Sequence, residues 1–151
     1  MAEVKNDDYL NSIIKDLTEV LWEEHGTGAR YRTPLVGVDY FQKKYGSQLK
    51  KSNWLETLDA VLGALKEEGL IDGASYERED FILTINFRSC LHRPMEKQLI
   101  DNGVNIINCP CANVVMHFVD QLVGKYSELV KVDFNEDGCV ATICVMGNIS
   151  A

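Results

Sequence analysis

The run Asn108-Cys109-Pro110-Cys111-Ala112-Asn113 constrains this chain more than any other stretch. Proline holds φ near the helical value and lacks the N–H that a first helical turn leaves without a partner, so Pro110 reads as a helix start. The apolar residues Val104 to Ile107 just before it read as strand-like. That junction puts Cys109 at the cap and Cys111 in the first turn, where unpaired N–H groups and the positive end of the helix dipole favour an anion. Thiols so placed lose their protons more easily, and the thiolate is the form that binds metal or attacks an electrophile.

The rest of the chain alternates helical and strand patterns. From Asp8 to His25, Leu10, Ile13, Ile14, Leu17, Val20 and Leu21 recur at helical spacing, and Gly26-Thr27-Gly28 ends that helix. Val36 to Tyr45 predicts a short second helix closed by Gly46. Asn53 and Glu56 have capping-box spacing, and Trp54, Leu58, Val61, Leu62 and Leu65 form the stripe of a third helix stopped by Gly69. Leu70-Ile71 begins a strand, and the alternation of Phe81, Leu83, Ile85 and Phe87 gives the clearest strand of all. A short helix from Met95 to Asp101 follows, then a helix from Pro110 to about Gly124. A strand carrying Val130, Val132 and Phe134 leads through the turn Asn135 to Gly138 into a return strand, Cys139 to Met146.

Helix, helix, a longer helix ending in Glu67-Glu68-Gly69-Leu70-Ile71, then a hairpin, is an order that resembles a winged helix-turn-helix over residues 8 to 88. The resemblance implies an α+β fold. Residues 1–88 would form a winged-helix-like unit, packed on a small cysteine-bearing α+β unit of residues 89–151.

Cys90 follows the Phe81–Phe87 strand, Cys109 and Cys111 open a helix, and Cys139 stands at a hairpin turn. All four lie at element ends, where side chains from distant segments can converge. They are the candidate metal ligands, with His92 and Cys144 in reserve; Cys144 is an odd number of residues from Cys139 and should face the other side of the sheet. Four thiolates suit tetrahedral zinc or an iron–sulfur cluster. Five cysteines, an odd number, fit a reducing compartment better than a disulfide framework. The N-terminus shows no basic-then-apolar leader and no apolar run is long enough to span a membrane, so a cytoplasmic location is expected.

The segment Cys109-Pro110 together with Asp137-Gly138-Cys139-Val140-Ala141-Thr142-Ile143 is similar to vinyl-4-reductase-type ligand-binding domains. It is also similar to the C-terminal part of iron–sulfur-sensing winged-helix repressors. The likeness covers roughly residues 103 to 146 and marks Cys109 and Cys139 as ligands of a metal or cluster. The chain departs from those families where Cys111 replaces a common aromatic and where Glu128 to Asp133 lacks their intervening cysteine.

The net charge of -8 argues against strong non-specific nucleic-acid binding by the whole surface. The charge is uneven, however. Between Ala29 and Ser52, Arg30, Arg32, Lys43, Lys44, Lys50 and Lys51 face a single acid, Asp39. These six are the candidate DNA phosphate contacts. The third helix is a poor base reader, because its exposed positions include Glu56, Asp59 and Glu67. The leading expectation is a cytoplasmic, non-catalytic metal- or cluster-binding regulator of winged-helix type. It would form a homodimer, meeting DNA through the basic window or a protein partner through the acidic surface. Two alternatives stand beside it: an accessory factor docking on a metalloenzyme, and a small thiol enzyme with Cys109 or Cys111 as nucleophile.

Overall fold

The alternating run predicted to be a strand is one. β2 (Ile82–Arg88) turns Leu83, Ile85 and Phe87 into the interior, while Phe81 stays exposed in the preceding turn. A computed structural model describes residues 2–26, 28, 35–106 and 108–146, with side chains from residue 8 onward. Among the described residues the elements run α1 (Ala2–His25), α2 (Val38–Leu49), α3 (Trp54–Glu67), β1 (Gly73–Glu79), β2, α4 (Arg93–Asp101), α5 (Pro110–Val123), β3 (Glu128–Phe134) and β4 (Gly138–Cys144). The chain is therefore α+β, and no described helix is long and apolar enough to cross a membrane.

The four strands form one antiparallel sheet in the order β1-β2-β4-β3. Its buried face is built by cross-strand pairs: Leu83 opposite Ile143, Ile85 opposite Ala141, and Phe87 opposite Cys139. α3 meets β1, α5 meets β4, and α3 and α5 pack on each other, so one continuous core fills the space between helices and sheet. The boundary expected between residues 88 and 89 falls at the end of β2, and both sheet and core continue across it through β2–β4 pairing. In a winged helix, α1 would pack with α2 and α3 and the β1–β2 hairpin would stand as a wing. Here the main neighbour of α1 is α4, and the hairpin is half of a larger sheet.

Capping explains several boundaries. The Asn53 side chain accepts a hydrogen bond from the Glu56 N–H at 2.9 Å, as the spacing predicted. α3 ends at Gly69, whose φ of 76° is left-handed, and the Leu70 N–H bonds back to the Leu65 carbonyl. Leu70 and Ile71 therefore belong to the helix cap, and the strand starts later, at Gly73. Val104 likewise donates back to Leu99 and packs with Met95. Residues 104–106 form no strand, and Ile107 lies outside the described residues. Gly46 does not stop the second helix, which runs on to Leu49. A glycine inside a helix costs about 1 kcal/mol, and full burial of Leu49 offsets that. α2 is tied to α3 at Glu68, which accepts bonds from Tyr40 (2.8 Å), Tyr45 (2.6 Å) and the Lys44 ammonium. In α1 the partly buried Ile14 and Trp22 pack against Met95, Leu99 and Val104, whereas Leu10, Leu17 and Val20 of the expected stripe are exposed.

Candidate metal centre

Three separate pieces of chain bring the predicted cysteines together. Cys90 follows β2 through Ser89, whose φ of 52° turns the chain inward and whose N–H donates to the Asp137 carbonyl at 2.7 Å. Cys109 is the cap residue of α5, Pro110 opens the helix, and Cys111 sits in its first turn. Asn113 pins that junction: its amide donates to the Val36 carbonyl at 3.0 Å and to Asn108 Oδ1 at 2.8 Å. Cys139 is the second residue of β4, flanked by Phe87 on one neighbouring strand and Phe134 on the other.

The β3–β4 hairpin that carries Cys139 is clamped to the start of α4. Asn135 Oδ1 accepts from the Gly138 N–H at 2.7 Å and closes the turn. The Arg93 guanidinium donates to the Gly138 carbonyl at 3.1 Å and the Asn135 carbonyl at 2.9 Å, with its plane over the Phe134 ring. Gly138 has no room for a side chain, because a Cβ there would lie 1.9 Å from the Phe87 carbonyl oxygen.

Cys109, Cys111 and Cys139 are fully sealed from solvent and Cys90 nearly so. The Cys90 sulfur is approached by the thiols of Cys111 and Cys139, whose hydrogen bonds favour its thiolate and lower its pKa. Cys111 and Cys139 shift the other way, first because each donates to Cys90 and then because burial disfavours charge. Burial is the main force raising the Cys109 thiol. The buried thiols thus favour Cys90 as the thiolate among them.

Sequence reasoning missed a fifth member. Glu96, on α4, is completely buried, and its carboxyl faces Cys109 and Cys139. Neither oxygen has a hydrogen-bond partner among the described residues. Burial, followed by the Cys90 charge, pushes its pKa up to about 8. A signal was present: Glu96 stands three residues before Leu99, on the inward face that Met95 and Leu99 define. Among the described residues no lysine or arginine is buried with these groups. The sulfurs are close in pairs, and no three donors among the described residues already stand as a closed ion site.

Of the reserve candidates, His92 bears on Cys90 through its backbone N–H and its ring charge, whereas Cys144 points elsewhere. His92 caps α4, and its Nδ1 lies 2.8 Å from Asn11 Oδ1 on α1. Cys144 faces away from Cys139, as its parity predicted, and contacts the Met146 sulfur at 3.5 Å. A cavity of about 520 Å³ between α1 and α4 is lined by Asn11, Leu91 and Met95 among others, and no cysteine opens onto it. Cys109 and Cys111 are buried with raised pKa values, the opposite of an activated nucleophile. Of the basic window, Arg30 and Arg32 lie outside the described residues. Lys43 pairs with Asp39 at 2.8 Å and Lys44 with Glu68, while Lys50 and Lys51 are exposed.

Residues 10–150 match the sequence profile of the family described as "Putative rubredoxin C-terminal domain". The match spans nearly the whole chain, and the chain belongs to that family. No curated protein matches it.

Proposed function

We propose, from membership in that family and from the sulfur cluster, that this domain binds one iron or zinc ion in the pocket formed by Cys90, Cys109, Cys111 and Cys139. The carrying observation is the convergence of four thiols, from a post-strand turn, a helix cap, a helix first turn and a hairpin strand, in one sealed space. The family description names a rubredoxin, which favours iron.

The donor set fits such an ion. A tetrahedron of metal–sulfur bonds about 2.3 Å long has edges of about 3.8 Å, close to the spacing of hydrogen-bonded sulfurs. The orphaned Glu96 carboxyl supports the same reading, because a sealed carboxyl without a partner is costly and a nearby cation lowers that cost. A bound iron would supply one-electron chemistry, and zinc a fixed cross-link.

The protein's own contribution is to orient thiols and exclude water. Cys109 and Cys111 hold the α5 start, Cys90 the α4 entry, and Cys139 the β3–β4 hairpin. Ion gain or loss would tighten or loosen these three elements together, which gives a regulatory readout without any substrate entering the pocket. Anaerobic purification followed by metal analysis and an absorbance spectrum tests the reading. It predicts about one iron or zinc per chain, lost in Cys109→Ser and Cys139→Ser. A folded chain that carries no ion and takes up neither iron nor zinc overturns it. Visible bands of an iron–sulfur cluster would replace the single ion by a cluster on the same thiols.

A further inference from the structure

α1 is apolar on two faces, and α4 covers one of them. Ile14 and Trp22 pack on Met95, Leu99 and Val104, and Thr18, one turn from each, is buried. The other face carries Leu10, Ile13, Leu17 and Val20 with Tyr9 beside them, and all five are exposed: Tyr9 by 65%, Leu10 by 48%, Leu17 by 59% and Val20 by 53%. The four aliphatic residues recur at intervals of three, four and three, the spacing by which one helix packs along another. With 3.6 residues per turn, the five side chains occupy about 100° of the circumference, the width of a stripe that ordinarily faces a core. A contiguous apolar stripe left in water marks an interaction surface.

The charges around the stripe decide what it takes. Between Asp8 and Glu24 the helix has five acids and one lysine. Asp16 stands three residues after Ile13 and four before Val20, and Glu23 and Glu24 stand three and four after Val20, so these exposed acids border the stripe. The lysine, Lys15, lies 3.0 Å from Asp16 and 3.6 Å from Glu19 and is occupied there. A second copy of α1 fits poorly. Glu24, seven residues after Leu17, continues the seam and would meet its own copy in a parallel pair, whereas an antiparallel pair would set the Asp16 and Glu23 edges against each other. A membrane surface fits poorly too, because helices that lie on anionic lipid carry lysine and arginine along their polar face.

We propose that the outer face of α1 docks a basic amphipathic helix of another protein. Apolar side chains of that helix seat against Leu10, Ile13, Leu17 and Val20, and its lysines or arginines pair with Asp16, Glu23 and Glu24. The face lies on the far side of α1 from α4, so docking leaves the sulfur pocket sealed and is independent of any ion there.

Fluorescence anisotropy with two labelled helical peptides tests the assignment. Both carry leucines at seam spacing; one has lysines flanking the seam and the other glutamates. The unmodified chain should bind the lysine peptide at least tenfold more tightly than the glutamate peptide, and less tightly as salt rises. Leu17→Glu, at an exposed position, should keep the parent's thermal midpoint and lose tenfold or more in affinity. Glu23→Lys combined with Glu24→Lys should reverse the preference between the peptides. Equal binding of both peptides, no binding of either, or undiminished binding by Leu17→Glu overturns the proposal. Sedimentation of the chain as a dimer that Leu17→Glu makes monomeric assigns the face to a second copy instead. Binding to phosphatidylserine vesicles that Leu17→Glu abolishes assigns it to a membrane, and either result overturns the proposal.

Discussion

Gly138→Ala isolates the hairpin that presents Cys139. A Cβ at this position would stand 1.9 Å from the Phe87 carbonyl oxygen, 3.0 Å from its carbon and 3.1 Å from the Arg88 Cα. All three are backbone atoms, so no rotamer change relieves the overlap. Real Cβ contacts do not fall below 3.0 Å, so β2 and β4 must part by about 1.1 Å, the difference between 1.9 and 3.0 Å. Ladder hydrogen bonds of ordinary length stretched by that amount leave the bonding range. Losing two of them costs about 1–3 kcal/mol together, and the overpacking raises the total to about 2–4 kcal/mol. For a chain of this size that lowers the thermal midpoint by about 5–15 °C. Cys139 is the next residue and shifts with the strand, whereas metal sites tolerate only about 0.2 Å. Metal affinity should therefore fall about 10- to 100-fold, the size of effect seen when groups supporting a ligand are disturbed. Urea unfolding of the metal-free chain and zinc competition titration of the loaded one measure the two effects separately. A Gly138→Ala chain within about 0.5 kcal/mol of the parent would refute the close approach and the strand pairing that imposes it.

Other outcomes follow from the same structure. Gly63→Ala, on the exposed side of α3 with nothing within 4 Å of a new Cβ, should stabilise the chain by about 0.5–1 kcal/mol in the same urea assay. Glu68 is held at a pKa of about 2, first by the Lys44 ammonium and then by Tyr45. Because that value is lowered from 4.5, its contribution is full above pH 4.5 and is lost as pH falls through 2. Glu68→Gln should accordingly be less stable than the parent at pH 7, with the gap closing between pH 4.5 and 2 in thermal melts. Arg93→Lys keeps the charge but loses the fork that spans the Gly138 and Asn135 carbonyls, and should cost about 1–2 kcal/mol of stability. It should also weaken metal binding by the loaded chain without removing a ligand.

Local signals in the sequence were legible where one element decides them. Alternation at Leu83, Ile85 and Phe87 located β2, proline chemistry located the start of α5, and strand parity separated Cys139 from Cys144. Signals that depend on distant partners were not. The run Val104 to Ile106 has strand composition, but its first residue is consumed in capping α4 and packing on Met95 and Leu99. The pairing of β2 with β4 joins segments about fifty residues apart, so the hairpin read as a free wing until its outer neighbour was known. Likewise the α1 stripe showed an amphipathic helix without showing that α4 would cover only part of it. Glu96 escaped because a glutamate in a short helix is ordinarily a solvated residue, and only the three-dimensional position of α4 aims it at the sulfurs.

The account depends on sulfur atoms from Cys90, Cys109, Cys111 and Cys139 sharing one ion. X-ray absorption at the metal edge of the loaded chain measures this directly. The proposed four-thiol centre predicts a first shell dominated by sulfur at about 2.3 Å. A shell of nitrogen and oxygen alone would contradict it.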